Sequence, residues 1–146
     1  MAIPDMERLR ASWRAQPERA RLGVVPERID ETSAVYSVDL RYGDGREDDP
    51  LYTSAAVTFA ADVAATSAVR GRLDESKQQL NGTISLHLNF LAPLSGLITI
   101  ETRVVSMGEQ DSVIDIVAHD DRGTTVLKGV VDYSLRPRTP REERRT

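Results

Sequence analysis

Residues 51–69, LYTSAAVTFAADVAATSAV, hold a single charge, and it is the carboxylate of Asp62. A carboxylate can take a proton from an attacking water or itself attack a carbonyl carbon. The surrounding residues are seven alanines, a few β-branched residues and small hydroxyls. A helix of that kind is apolar or small nearly all the way round, which predicts burial rather than a surface position. Midway along such a helix a carboxylate must be neutral, paired or turned into a cavity, because a lone buried charge is costly. Thr58, Asp62 and Thr66 share one helix face, so a solvent-facing stripe is the alternative; against it, no other charge stands three or four residues from Asp62.

Other reactive side chains form no comparable pattern. His87 and His119 share no ligand spacing with Asp or Glu, and no G-x-S-x-G accompanies them, so neither a metal centre nor a Ser-His-Asp triad is expected. The absence of cysteine excludes disulfides, thiolate-bound metal and a thiol nucleophile. Thr53 and Ser54 suit helix caps as well as a site. Thr66 can bond back to a carbonyl one turn earlier, and Ser85 can be an ordinary strand hydroxyl.

The elements that must position Asp62 follow from periodicity. A short helix is expected from Asp5 to about Gln16, begun near Pro4, ended by Pro17, and docking through Met6, Leu9 and Trp13. Strands are expected at 22–29 and, by clearer alternation, at 33–42. GDGREDDP at 43–50 reads as an exposed acidic loop, and 70–81 as a polar connection after the Ala-rich helix. The remainder is a run of strands at 82–91, 97–107, 112–119 and 124–135. In the first of these Ile84, Leu86, Leu88 and Phe90 alternate with Thr83, Ser85, His87 and Asn89. Turns as short as 108–111 and 121–123 demand antiparallel neighbours. One long helix covered by an antiparallel sheet satisfies this inventory, an α+β architecture of about six strands with a short N-terminal helix.

The chain has 146 residues, enough for one domain with its own core. A segment at 1–20, a domain at 21–136 and a flexible basic tail at 137–146 are the expected divisions. Its net charge of −4 provides no general attraction for nucleic acid or anionic membranes. MAIPDMERLRASWRAQPERAR lacks the apolar core of a signal peptide, and the Ala-rich run with its central Asp is a poor membrane span. A cytoplasmic protein is expected.

Beyond topology, GTISLHLNFLAPLSGLITIETRVVSMGEQDSVIDIVAHDDRGTTVLKGVVDYSL closely resembles the C-terminal half of PaaI-type hotdog thioesterases. NFLAP at 89–93, the ETRVVSMG strand and turn, and the D-R-G turn carry the likeness. AAD at 60–62 stands where that family carries its active-site Asp or Glu, and the whole resemblance spans roughly residues 20–136. It implies a hotdog fold, hydrolysis of acyl-CoA or related thioesters without metal or redox cofactor, and a homodimer or dimer of dimers with sites between protomers. It further implies Asp62 as general base or nucleophile, with Thr66 and Ser85 as helping hydroxyls. Thr53, Ser54, Ala55 and Asn89 are the corresponding substrate-binding positions.

One departure bears on activity. Family members commonly carry His-Gly-Gly where this chain has Thr53, Ser54 and Ala55, and residues 41–52 supply none of the Asn often found there. The resemblance leaves a backbone amide near Ser54 or Ala55 as the oxyanion donor. Arg70, Arg72 or the C-terminal arginines (Arg136, Arg138, Arg141, Arg144 and Arg145) are the candidates for CoA phosphates. The rival reading is a hotdog protein that binds an acyl thioester or small apolar ligand without turning it over. No dehydratase-type His accompanies Asp62 in 51–69.

Overall fold

The computed structural model describes residues 3–41 and 49–139. Their order is α1 (Met6–Arg14), α2 (Pro17–Arg21), β1 (Val24–Ile29), β2 (Ser33–Asp39), α3 (Pro50–Arg72), β3 (Gln78–Phe90), β4 (Leu97–Met107), β5 (Asp111–His119) and β6 (Thr125–Pro137). The strands form one antiparallel sheet in the order β1-β2-β4-β5-β6-β3, curled around α3. The expected architecture, one long helix wrapped by a six-stranded sheet, is the one observed.

The composition of α3 explains the wrapping. Ala56, Ala60, Ala61, Ala64, Ala65 and Ala68 are fully buried, as are Val57 and Val69. Alanine gives the strongest helix propensity while adding almost no bulk, so the sheet can close on a thin rod. Against it stand Val38, Ile98, Ile100, Ile114, Leu127 and Val131 from the inner face of the sheet, none exposed. One polar group crosses this layer at its middle: the Thr102 hydroxyl lies 3.1 Å from both the Ala34 and the Ala64 carbonyl oxygens, tying β2, β4 and α3 together. Asp49 caps the helix by accepting from the Leu51 amide at 3.0 Å, with Pro50 at its first position, and Arg70 and Arg72 complement the dipole at its end.

The boundaries depart from expectation in four places. Pro17 does end the first helical run, yet it also opens α2, where a missing N–H and fixed φ suit the first helical position. Pro50 belongs to α3 rather than to the acidic loop, of which residues 42–48 lie outside the described residues. α3 runs to Arg72 and β3 starts at Gln78, so the polar connection narrows to residues 73–77. At the other end β6 runs to Pro137 and the Arg138 amide donates to the Lys77 carbonyl at 2.9 Å. The tail therefore begins as paired backbone, and its residues 140–146 lie outside the described ones.

The two edges of the sheet differ. At β1 the Arg10 guanidinium of α1 donates to the backbone carbonyls of Pro26 (2.9 Å) and Glu27 (2.7 Å). α1 itself is capped by Asp5 and docks through buried Trp13, with Met6 and Leu9 partly buried beside it, as the spacing predicts. β3 forms the opposite edge over thirteen residues, with Ile84 exposed on it. No helix among the described residues is long and apolar enough to cross a membrane.

The β1–β2 turn is locked against the end of α3. Asp30 accepts from the Thr32 and Ser33 amides and from the Ser33 hydroxyl (2.7 Å), and Gly71 packs on the Asp30 carbonyl. A Cβ at Gly71 would collide with that carbonyl oxygen, which is backbone and cannot swing aside. Gly71→Ala is expected to cost about 1–3 kcal/mol, read as a lower midpoint in urea unfolding with unchanged slope. The Ser33 hydroxyl bond, chiefly, and the two amides hold the Asp30 carboxyl below its ordinary range. A lowered native pKa means stability present at neutral pH and lost as pH falls through the carboxylate range. Asp30→Asn should therefore be less stable at neutral pH and show a flatter acid limb in thermal melts; an unchanged acid limb would contradict this role.

Candidate active site

Asp62 sits near the middle of α3, half-buried between the alanine face and solvent. Its carboxylate oxygen Oδ1 accepts a hydrogen bond from the Thr83 hydroxyl of β3 at 2.6 Å. Of the alternatives open for this residue, a paired carboxylate at the margin of the core is the one found. A short bond from a hydroxyl to a carboxylate is charge-assisted and fixes the orientation of both groups.

Thr83 reaches the helix because β3 is irregular. Its register against β6 slips between Leu80 and Gly82 and again between Thr83 and Ser85, leaving Asn81 and Ile84 as extra residues. Gly82, at φ +151°, adopts a backbone open to glycine alone. After the second slip Ser85, His87 and Asn89 stand opposite Asp132, Val130 and Lys128, on the outer face. Before it, Thr83 stands opposite Tyr133, one of the buried residues facing the helix. A bulge thus divides residues that simple alternation places together.

The expected site residues are placed accordingly. Ser85 is separated from Asp62 by the width of the sheet and bonds instead to Asp132 Oδ2 at 2.6 Å. Thr66 lies one turn beyond Asp62, but its hydroxyl donates to the Asp62 backbone carbonyl at 2.9 Å rather than to the carboxylate. Asn89 is exposed on the outer face, opposite Lys128. Thr83 is the residue that alternation missed; the only sequence signal for it was a glycine breaking the strand pattern immediately before it.

Thr53 and Ser54 are not caps, a role taken by Asp49. The Thr53 amide already bonds the Asp49 carbonyl at 3.0 Å, and its hydroxyl lies 3.2 Å from the Pro50 carbonyl. Ser54 and Ala55 follow within the helix, where amides are engaged by carbonyls four residues earlier. Their N–H groups are therefore committed to the helical ladder. Thr53 and Ser54 nevertheless line a cleft of about 350 Å³ at the start of α3, faced by Phe90, Pro93 and Leu94. The NFLAP piece contributes Phe90, Ala92 and Pro93 to this wall; its Asn89 stays outside.

Arg70 stands at the end of α3, distant along the helix from this cleft, and Arg136 and Arg138 lie at the end of β6. Of the other arginines named for phosphate contact, Arg72 is the last residue of α3, and Arg141, Arg144 and Arg145 fall outside the described residues. Among the described residues no cluster of three or more His, Asp or Glu side chains offers a metal site.

Comparison with known proteins bears on this arrangement. The family model of the thioesterase superfamily matches residues 55–127, half of the chain, including Asp62 and Thr83. No curated protein matches. Among solved structures, a mutant of the thioesterase PA1618 from Pseudomonas aeruginosa is 25% identical, covering 92% of this chain and 96% of its own, with a TM-score of 0.77. The thioesterase HI1161 from Haemophilus influenzae is 15% identical over 93% of both chains, with a TM-score of 0.71. The BH2602 protein from Bacillus halodurans, solved with CoA, is 18% identical over 70% of this chain and 66% of its own, with a TM-score of 0.60. With half its length matched by the family model and the wrapped-helix architecture in place, the chain belongs to the thioesterase superfamily and has the hotdog fold.

Proposed function

We propose that the protein hydrolyses acyl thioesters, CoA thioesters in particular, with Asp62 as the general base. The observation that carries this reading is the half-buried Asp62 carboxylate, held by Thr83 beside the open edge of β3. One carboxylate oxygen is oriented by the threonine, which leaves the other to take a proton from water. That water attacks the thioester carbonyl carbon; the tetrahedral adduct then collapses, the C–S bond breaks, and the proton held by Asp62 passes to the departing thiolate. The partial positive charge of the α3 N-terminus lies beside the 350 Å³ cleft, where it favours an anionic group of a bound thioester. A nucleophilic role for the same carboxylate would pass through an anhydride and uses the same geometry. BH2602, solved with CoA, supports CoA as the thiol half of the substrate.

A homodimer formed through β3 completes this reading. With β1 stopped by Arg10, β3 is the edge left to receive a second strand, and exposed Ile84 lies at its bulge. Pairing there would set the Asp62–Thr83 pair beside the partner copy and close the site from water. A dimer of such dimers, and the PaaI-type branch of the superfamily, rest on the resemblance in sequence.

The committed amides of Ser54 and Ala55 favour a second reading, in which the protein binds an acyl thioester without hydrolysing it. Both are decided by the same panel of acyl-CoAs, followed by thiol release and by calorimetric binding. Hydrolysis should be detected, and Asp62→Ala and Asp62→Asn should each lower kcat/KM about 10²–10⁴-fold without loss of oligomer. Saturable binding with no release by the wild type would instead establish the second reading, and wild-type turnover in both variants would remove Asp62 from the mechanism. Thr83→Val should depress kcat more than KM, with activity recovered in Thr83→Ser. For the interface, Ile84→Lys is expected to convert the dimer to a folded monomer in sedimentation velocity; an unchanged sedimentation coefficient places the contact elsewhere.

A further inference from the structure

A second concavity, of about 440 Å³, opens between α1 and α3 on the side of the helix that carries Val63, Ser67 and Arg70. Trp13 forms one wall, held edge-on to Tyr36 with ring centroids 5.6 Å apart. Ile29, Val63 and Leu9 continue the apolar lining. The polar end is built from two hydroxyls and two cations. Tyr36 Oη and Ser67 Oγ are 2.8 Å apart and bond to each other. Two hydroxyls have two protons and their mutual bond uses one, so whichever group donates, one proton remains for a third acceptor.

The cations are Arg19 and Arg70. Arg19 stacks over the Trp13 ring with its guanidinium carbon 4.3 Å from the centroid, a pose that leaves its N–H edge available. Arg70, exposed, lies along the same rim. Neither meets a carboxylate within ion-pair distance among the described residues. Both line the same concavity as Tyr36 and Ser67, within electrostatic reach of the phenol. Burial, the largest influence, keeps that phenol protonated above its ordinary range, so it serves as a hydroxyl and not as an anion.

We propose that this cleft binds a small amphipathic carboxylate, its anionic end between Arg19, Arg70 and the Tyr36–Ser67 pair and its apolar body against Trp13. Charge complementarity selects the anion: two cations and a spare hydroxyl proton converge on one end of an otherwise apolar wall. A neutral ligand of the same shape would leave both cations as they are and gain nothing from them. The site depends on the N-terminal helix and not on Asp62, so it is independent of the hydrolytic reading.

Trp13 is the single tryptophan of the chain, which makes its fluorescence a direct reporter. Titration of the intact protein with 3-phenylpropanoate should change the emission saturably, and 3-phenylpropanamide, equal in shape but uncharged, should bind at least about tenfold more weakly, the worth of one lost charged contact. Arg70→Gln, an exposed substitution that leaves the core untouched, should erase that preference, and Ser67→Ala should weaken the carboxylate alone. No saturable change with the carboxylate, or equal affinity for acid and amide in the wild type, overturns the proposal. Such a carboxylate could arrive as a free acid or as the far end of an acyl chain, and turnover of adipoyl-CoA and hexanoyl-CoA separates the two. Arg70→Gln raises KM for adipoyl-CoA alone if the carboxylate is the chain's far end, and for neither if it is the free acid.

Discussion

Everything in this molecule depends on how closely the sheet can approach α3, and that distance is set by alanine. With methyl groups facing the inner surface of four strands, backbone and sheet come near enough for a β4 threonine to touch a helix carbonyl. The layer so formed is lined mainly by alanine and branched aliphatic side chains, which offer a buried charge no partner. A carboxylate on the same helix can survive only at the margin, where one neighbour satisfies it and solvent or ligand reaches the rest. Asp62 occupies that margin. The thinness of the rod and the position of the charge are two sides of one packing solution.

The margin is completed by an irregularity. A regular β3 would turn Thr83 outward with Ser85, His87 and Asn89, and Asp62 would face no donor from the strand. The extra residue at Ile84 reverses the facing of Gly82 and Thr83 before it, the extra residue at Asn81 restores it, and Gly82 supplies the backbone freedom the turn-over needs. Strand bulges commonly re-aim a single side chain in this way. Here the re-aimed group is the one that orients the candidate base.

Much of the fold was legible because it rests on periodicity. Four strands at alternating spacing, joined by short connections, leave few topologies, and the alanine run could only be a central helix. The lone charge within that run was legible for the same reason: a buried element tolerates so few charges that one stands out. What escaped was local. Pro17 and Pro50 each begin a helix, a role that a proline shares with ending the preceding one. Alternation counts residues and cannot see a bulge, so it assigned Ser85 and Asn89 to the face that belongs to Thr83. The Trp13–Tyr36–Ser67–Arg19 grouping joins the two N-terminal helices to β2 and α3, far along the chain, and no spacing rule connects them.

The guanidinium of Arg10 spans two carbonyls at the rim of β1. A sheet with both rims open can add copies at either end and has no reason to stop. With one rim stoppered, any copy that joins must do so through β3, and it must present its own β3 in return. That arrangement consumes the open rim of both molecules at once and leaves only stoppered ones facing outward. In the dimer proposed through β3, a single arginine on the first helix would thus turn a surface capable of indefinite growth into one that closes at two.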